Sequence, residues 1–178
     1  GIEKANSFMI PTLFVLLAIV AIRSVSLPGA ARGLHFYFNV DKAALMSPNT
    51  WLNALSQSAW SCGPGWGLVI TYGVYTKSRS DVALNEFIQG FGDNSAALLA
   101  GFAVLPAVFA LAPSVQAATD ICASGNTGLT FIALTEMFET MSGGYILGIM
   151  FFIALYFAAI SSNLVMFLTG VTPLMDAG

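Results

Sequence analysis

The chain has 178 residues, 57% of them hydrophobic and only 8% charged, with a mean hydropathy of +0.79 and a formal net charge of −3. A soluble globular domain carries roughly 25% charged residues, so this chain cannot clothe a water-facing surface. Its six Lys and Arg are scattered and form no basic face that could neutralise phosphates, which excludes nucleic acid as a partner. Cys62 and Cys122 match no metal-ligand or disulfide spacing. The first residue is Gly rather than Met, and no charged n-region with a cleavage site precedes the first apolar run. The chain therefore reads as part of something longer.

Charges leave four long neutral stretches, residues 5–22, 43–76, 94–119 and 140–175. Each is close to or beyond the ~20 residues that cross a ~30 Å hydrocarbon core as a helix. The expectation is an all-α polytopic transmembrane bundle within one partial domain, residues 1–178, with spans at about 8–25, 51–75, 82–111 and 145–172. In the first span Pro11 should kink the helix near its start, and Arg23 can snorkel to the interface. Residues 26–50 hold Pro28, Gly29, Arg32, His35, Asp41, Lys42 and Pro48 and have the composition of a loop in water.

The second span carries a break: WLNALSQSAW, then SCGPGWG, then LVITYGVY. Gly63, Pro64 and Gly65 can hardly continue an α-helix, because Pro lacks the N–H and Gly loses the most entropy. Two half-helices follow, with freed N–H and C=O groups that cost several kcal/mol each unless a ligand, an ion or another polar group meets them. The third span has two readings. As one helix over 82–111 it is roughly 45 Å long at ~1.5 Å per residue and puts Asp93 inside the membrane. Begun at Ser95, with QGFGDNS as a turn, it leaves Asp93 as an interfacial cap. A polar connection follows at 113–144, with a weakly helical FIALTEMFETM near its end, and the fourth span runs from Tyr145 to about Thr172, with Asp176 at its exit.

Lys77 and Arg79 in the short 76–81 loop make that side cytoplasmic by the positive-inside rule, and the 26–50 and 113–144 connections extracellular. Three polar features share a depth: the break at residues 61–67, Asp93, and the Ser161, Ser162, Asn163 cluster. Asn53, Gln57 and Ser61 form a stripe at i, i+4, i+8 on the first half-helix. Ala158, Ser161 and Ser162 stand at i, i+3, i+4, so a carbonyl and two hydroxyls can converge, an oxygen set that suits a hard cation such as Na⁺. The same hydroxyls can equally bond back to their own helix or hold helices together. No GxSxG, HExxH or GxxxxGK[ST] is present, so catalysis is not expected.

Over GIEKANSFMIPTLFVLLAIVAIR, WLNALSQSAWSCGPGWGLVITYGVY, DNSAALLAGFAVLPAVF and GGYILGIMFFIALYFAAISSN the chain resembles the neurotransmitter:sodium symporter family, bacterial branch, nearly end to end. The resemblance implies the fifth to eighth of about twelve helices of an inverted-repeat transporter in a bacterial inner membrane. It implies two sodium sites, one drawing on Ser61 and Asp93, the other on the carbonyl of Ala158 with Ser161 and Ser162. A carboxylate at Asp93, where many members have Asn, resembles relatives that work without chloride. The substrate pocket would take Trp60, Ser61, Gly63, Trp66, Asn163 and Met166. Trp66 replaces a common Phe, and its bulk leans toward a small neutral amino acid. Gln57 matches a position near the outer gate, and Tyr75 with Asp176 the cytoplasmic gate. Gly1 and Pro11 fit a spacing that lets the fifth helix unwind and release sodium inward.

These observations lead to an expected Na⁺-coupled symporter of a small neutral amino acid, working by alternating access with the lipid bilayer, its substrate and the remaining helices of the same transporter as partners. The rivals are a channel or Na⁺-gated receptor on the same bundle, and a structural membrane fragment that transports nothing.

Overall fold

A charge-free run in lipid satisfies its backbone only within itself, so it becomes helix. In the computed structural model, which describes residues 2–63, 65–76, 81–124 and 134–177, all regular structure among the described residues is α-helical. The helices are α1 (Ile2–Val25), α2 (Ala30–Phe38), α3 (Lys42–Leu45), α4 (Pro48–Cys62), α5 (Leu68–Tyr75), α6 (Val82–Leu111), α7 (Val115–Ala123), α8 (Leu134–Thr140) and α9 (Gly144–Asp176). Among the described residues three helical stretches are long and apolar enough to cross a bilayer: Asn6–Val25, Val82–Leu111 and Gly144–Asp176. Neither α4 nor α5 is: at about 22 Å and 12 Å, each half falls short of the ~30 Å core. Gly1, Pro64, Lys77 and Arg79 lie outside the described residues.

The chain divides into two compact units, one from Glu3–Asn39 and Ala97–Ala158, the other from Val40–Ala96 and Ala159–Gly178. The first unit holds the main hydrophobic core. In α1, Leu17, Val20, Ala21 and Ser24 recur at helical spacing and are buried, the stripe expected of a helix packed on one side. Pro11 lies inside α1, which is helical on both sides of it. Arg23 Nη2 donates to the Ser142 carbonyl at 3.5 Å, tying the end of α1 to the turn between α8 and α9.

Residues 26–50, expected to be a loop in water, contain α2 and α3. The reason is packing: α2 buries Ala30 and Gly33 against the later turns of α6. A Cβ on Gly33 would stand 2.6 Å from both the Leu105 oxygen and the Pro106 Cα, so only glycine permits this approach. Phe36 meets Phe109 with centroids 4.8 Å apart, and Tyr37 meets Phe102 edge-on at 5.8 Å. Pro106, fully buried in α6, removes one backbone donor from the helix. The 113–144 connection is likewise partly helical. Ser114 caps α7 by accepting from the Ala117 N–H at 3.1 Å, and Leu134 and Phe138 of α8 are buried in the core. Of the weakly helical piece, residues 131–133 lie outside the described residues.

In the second unit, Asp41 caps α3 by accepting from the Ala43 N–H at 2.9 Å, and Trp51 Nε1 donates to the Leu45 carbonyl at 2.8 Å. Pro48 opens α4, where its missing N–H has no intrahelical use. The α4–α5 junction passes through Gly63, Gly65 and Gly67 with φ of +72°, +84° and +79°. This left-handed region is open to glycine and costly for residues with a Cβ. Gly63 N–H closes α4 on the Ala59 carbonyl at 3.2 Å, and Gly67 opens α5 by accepting from the Thr71 N–H and Thr71 hydroxyl, both at 3.0 Å.

Of the two readings of the third span, the structure has the single helix: α6 runs unbroken from Val82 to Leu111, with Asp93 about a third of the way along. Two polar residues of QGFGDNS, Asn94 and Ser95, bond back to their own helix. Asn94 Nδ2 donates to the Gly90 carbonyl at 2.9 Å and Ser95 Oγ to that of Phe91 at 2.7 Å. Without water to solvate a turn, those helical carbonyls are the available acceptors.

Candidate functional site

The interrupted helix presents its end to α6. Ser61, in the last turn of α4, donates its hydroxyl to Asp93 Oδ1 at 2.7 Å and Oδ2 at 2.8 Å. Cys62 Sγ lies 3.8 Å from Oδ2, and one turn earlier on α6, Gln89 Nε2 donates to the Cys62 carbonyl at 3.3 Å. A carboxylate, a hydroxyl and a backbone oxygen thus gather where one helix stops. Oxygen donors with one fixed negative charge can hold a hard monovalent cation, and the charge offsets part of the hydration that a cation gives up on binding. Among the described residues no group of three or more His, Cys, Asp or Glu converges as a transition-metal site would need.

Beside this cluster, Trp60 and Trp66 face each other across the break as an edge-on pair with centroids 4.6 Å apart. Gln57 stands exposed on α4 one turn before Ser61, and Asn163 and Met166 are exposed on α9. Ala158, Ser161 and Ser162 lie on the unbroken α9 at i, i+3, i+4, the first two half-buried and Ser162 exposed.

Tyr75, the last residue of α5, has its hydroxyl 3.4 Å from Thr172 Oγ1. Thr172 Oγ1 donates to the Leu168 carbonyl at 2.8 Å; with its single proton so engaged, the tyrosine is the donor to it. Asp176 ends α9 and is exposed, as is Pro11 on α1; Gly1 lies outside the described residues. The sequence singles out neither Gln89 nor Thr172, and it gives Cys62 no metal-ligand or disulfide role. A signal existed for Gln89: it stands at i−4 from Asp93, on the same face of a helix otherwise rich in apolar residues. Thr172, an ordinary small residue near a helix end, offered none.

Residues 1–178 match the sodium:neurotransmitter symporter family over their whole length. An uncharacterized sodium-dependent transporter of Methanocaldococcus jannaschii is 33% identical over 177 residues, covering 99% of this chain and 36% of that protein. The sodium-dependent serotonin transporter of Drosophila melanogaster is 30% identical over 150 residues, 84% of this chain and 24% of that one. The crystal structure of MhsT in complex with L-phenylalanine superposes with a TM-score of 0.83 at 38% identity, over 99% of this chain and 38% of that chain. The chain spans between about a quarter and two-fifths of the length of these relatives. The relatives are transporters rather than enzymes, and the long apolar helices make the chain integral to a membrane. On its full-length match, this chain belongs to the sodium:neurotransmitter symporter family.

Proposed function

We propose that the complete protein carrying this chain moves a neutral amino acid inward with Na⁺ by alternating access. The observation that carries this reading is the Ser61–Asp93 contact at the end of an interrupted helix, 2.7 and 2.8 Å from hydroxyl to carboxylate. Na⁺ is cargo here. It binds at oxygens contributed by Ser61 and Asp93, and a second ion uses the Ala158 carbonyl with Ser161 and Ser162. The carboxylate of Asp93 supplies the negative charge that an anion would otherwise bring, so chloride is not required. Each Na⁺ that crosses adds about 2.3 kcal/mol per 100 mV of membrane potential to the driving force.

The substrate lies between the break and α9, against Trp60, Ser61, Gly63, Trp66, Asn163 and Met166. The half-helix carbonyls take its ammonium, and the paired indoles limit its side chain to a small one. A second reading, an aromatic amino acid, is favoured by the L-phenylalanine complex of MhsT. Gln57 serves the outer gate, Tyr75 and Asp176 the inner one, and unwinding between Gly1 and Pro11 releases the second sodium. Residues 76–81 face the cytoplasm and the 26–50 and 113–144 connections the outside of a bacterial inner membrane.

The test is uptake by the complete protein in proteoliposomes under an imposed Na⁺ gradient. Asp93→Ala should abolish Na⁺-dependent accumulation, and wild-type sodium dependence in that variant would refute the assignment. Accumulation above the external concentration separates a symporter from a channel. Competition by alanine and glycine against phenylalanine decides between the two substrate readings.

A further inference from the structure

A helix that stops inside a span leaves its last carbonyls without intrahelical donors, each costly in hydrocarbon if unmet. The Cys62 carbonyl, on the final residue of α4, is met by Gln89 Nε2 at 3.3 Å. One turn further along α6, the Asp93 carboxylate accepts the hydroxyl of the neighbouring residue, Ser61. Two successive residues at the end of α4 are therefore held by two residues at i and i+4 of α6, one through its side chain and the other through its backbone.

The two holds respond differently to a cation. Ser61 has a single hydroxyl proton, and it is spent on Asp93. An ion entering between them takes a lone pair from each residue and pushes the two oxygens apart, so the direct bond opens when the ion arrives. The Gln89 bond uses neither of those groups and persists. We infer that Gln89 is a positioning residue: its amide holds the Cys62 carbonyl and thereby keeps the Ser61 hydroxyl and the Asp93 carboxylate at a set spacing while the ion comes and goes. The inference rests on the reading of Ser61 and Asp93 as an ion site. Its consequence is size selectivity. With the strut in place the oxygens stay at one separation; without it the end of α4 can drift along α6, and the oxygens can close on a smaller ion.

The experiment uses the complete protein, purified in detergent, with radiolabelled Na⁺ as probe and unlabelled Na⁺ and Li⁺ as competitors. Gln89→Met keeps the side chain's length and removes its donor; Asp93→Ala defines which part of the binding belongs to this site. In Gln89→Met that part should weaken about tenfold, the order of one lost hydrogen bond, and the preference for Na⁺ over Li⁺ should fall several-fold. The thermal midpoint should stay near that of the wild type. Unchanged affinity and selectivity would overturn the positioning role, as would equal weakening for both ions together with a lowered midpoint. If Asp93→Ala removes no Na⁺ binding, the ion-site reading falls and the inference with it; if it does and Gln89→Met behaves as wild type, the inference alone falls. Should Gln89→Met not fold, Gln89→Asn, whose amide is too short to reach, carries the same comparison.

Discussion

A half-buried thiol away from the site reports on the packing of α7. Cys122, in α7, packs against the hydrophobic core, and burial raises its pKa above the ordinary value of 9.0. Only the thiolate reacts with alkylating agents, so at pH 8 iodoacetamide should label Cys122 more slowly in the folded chain than in the denatured one. The gap should narrow as pH rises through the raised pKa of the folded thiol. The sign for stability follows from linkage. The unfolded thiol ionises first, so the preference for the neutral form is intact below the unfolded pKa and is lost as pH rises through the folded one. Mass spectrometry of labelled peptides checks both rates. At the same scale, Ser61 and Asp93 stood out in the sequence as polar groups in apolar runs, whereas the Gln89–Cys62 bond was hidden, because a backbone acceptor leaves no mark in residue identity.

Helices show where local pattern was overruled. The segment AARGLHFYF sits among prolines, glycines and charges, and its composition argues for a loop. It is helical because Gly33 lets α2 lie directly on the α6 backbone and its aromatic residues then cover α6. Two glycine substitutions separate the forces involved. Gly33→Val would drive a side chain into backbone atoms 2.6 Å from its Cβ and should cost about 1–3 kcal/mol or detach α2. Gly65→Ala meets nothing within 4 Å but sits at φ +84°, so its cost should be only the left-handed penalty of about 1–2 kcal/mol. Thermal unfolding in detergent, followed by circular dichroism, should rank Gly33→Val as the more damaging. The reverse order would mean that the break carries more strain than its open surroundings suggest.

Over the whole chain, large apolar side chains stand exposed along the spans: Phe8, Ile22, Phe91 and Phe167 are each at least two-thirds accessible. In water such a surface would aggregate; in a membrane it is what lipid or neighbouring helices cover. The chain should therefore stay in the membrane pellet after an alkaline carbonate wash and leave it only with detergent. Release by carbonate alone would contradict integral insertion. The same exposure fits a chain that spans between about a quarter and two-fifths of its relatives' length.

Residue identity alone determined that the chain is helical and membrane-embedded, since scarce charge and runs of twenty or more apolar residues allow no other solution for the backbone. It also determined where one span breaks, because the glycines between Cys62 and Leu68 take up left-handed angles closed to most residues. Tertiary structure decided the setting of Asp93, since a turn or a helix at QGFGDNS was acceptable from the sequence, and in the helix the carboxylate meets Ser61 of α4. It decided the fold of residues 26–50, where contact with α6 outweighed loop composition. It brought Gln89 and Asp93 to the end of α4 and Tyr75 to Thr172 across 97 positions. Such pairings depend on how helices pack, and packing is a property of surfaces in contact rather than of any one segment.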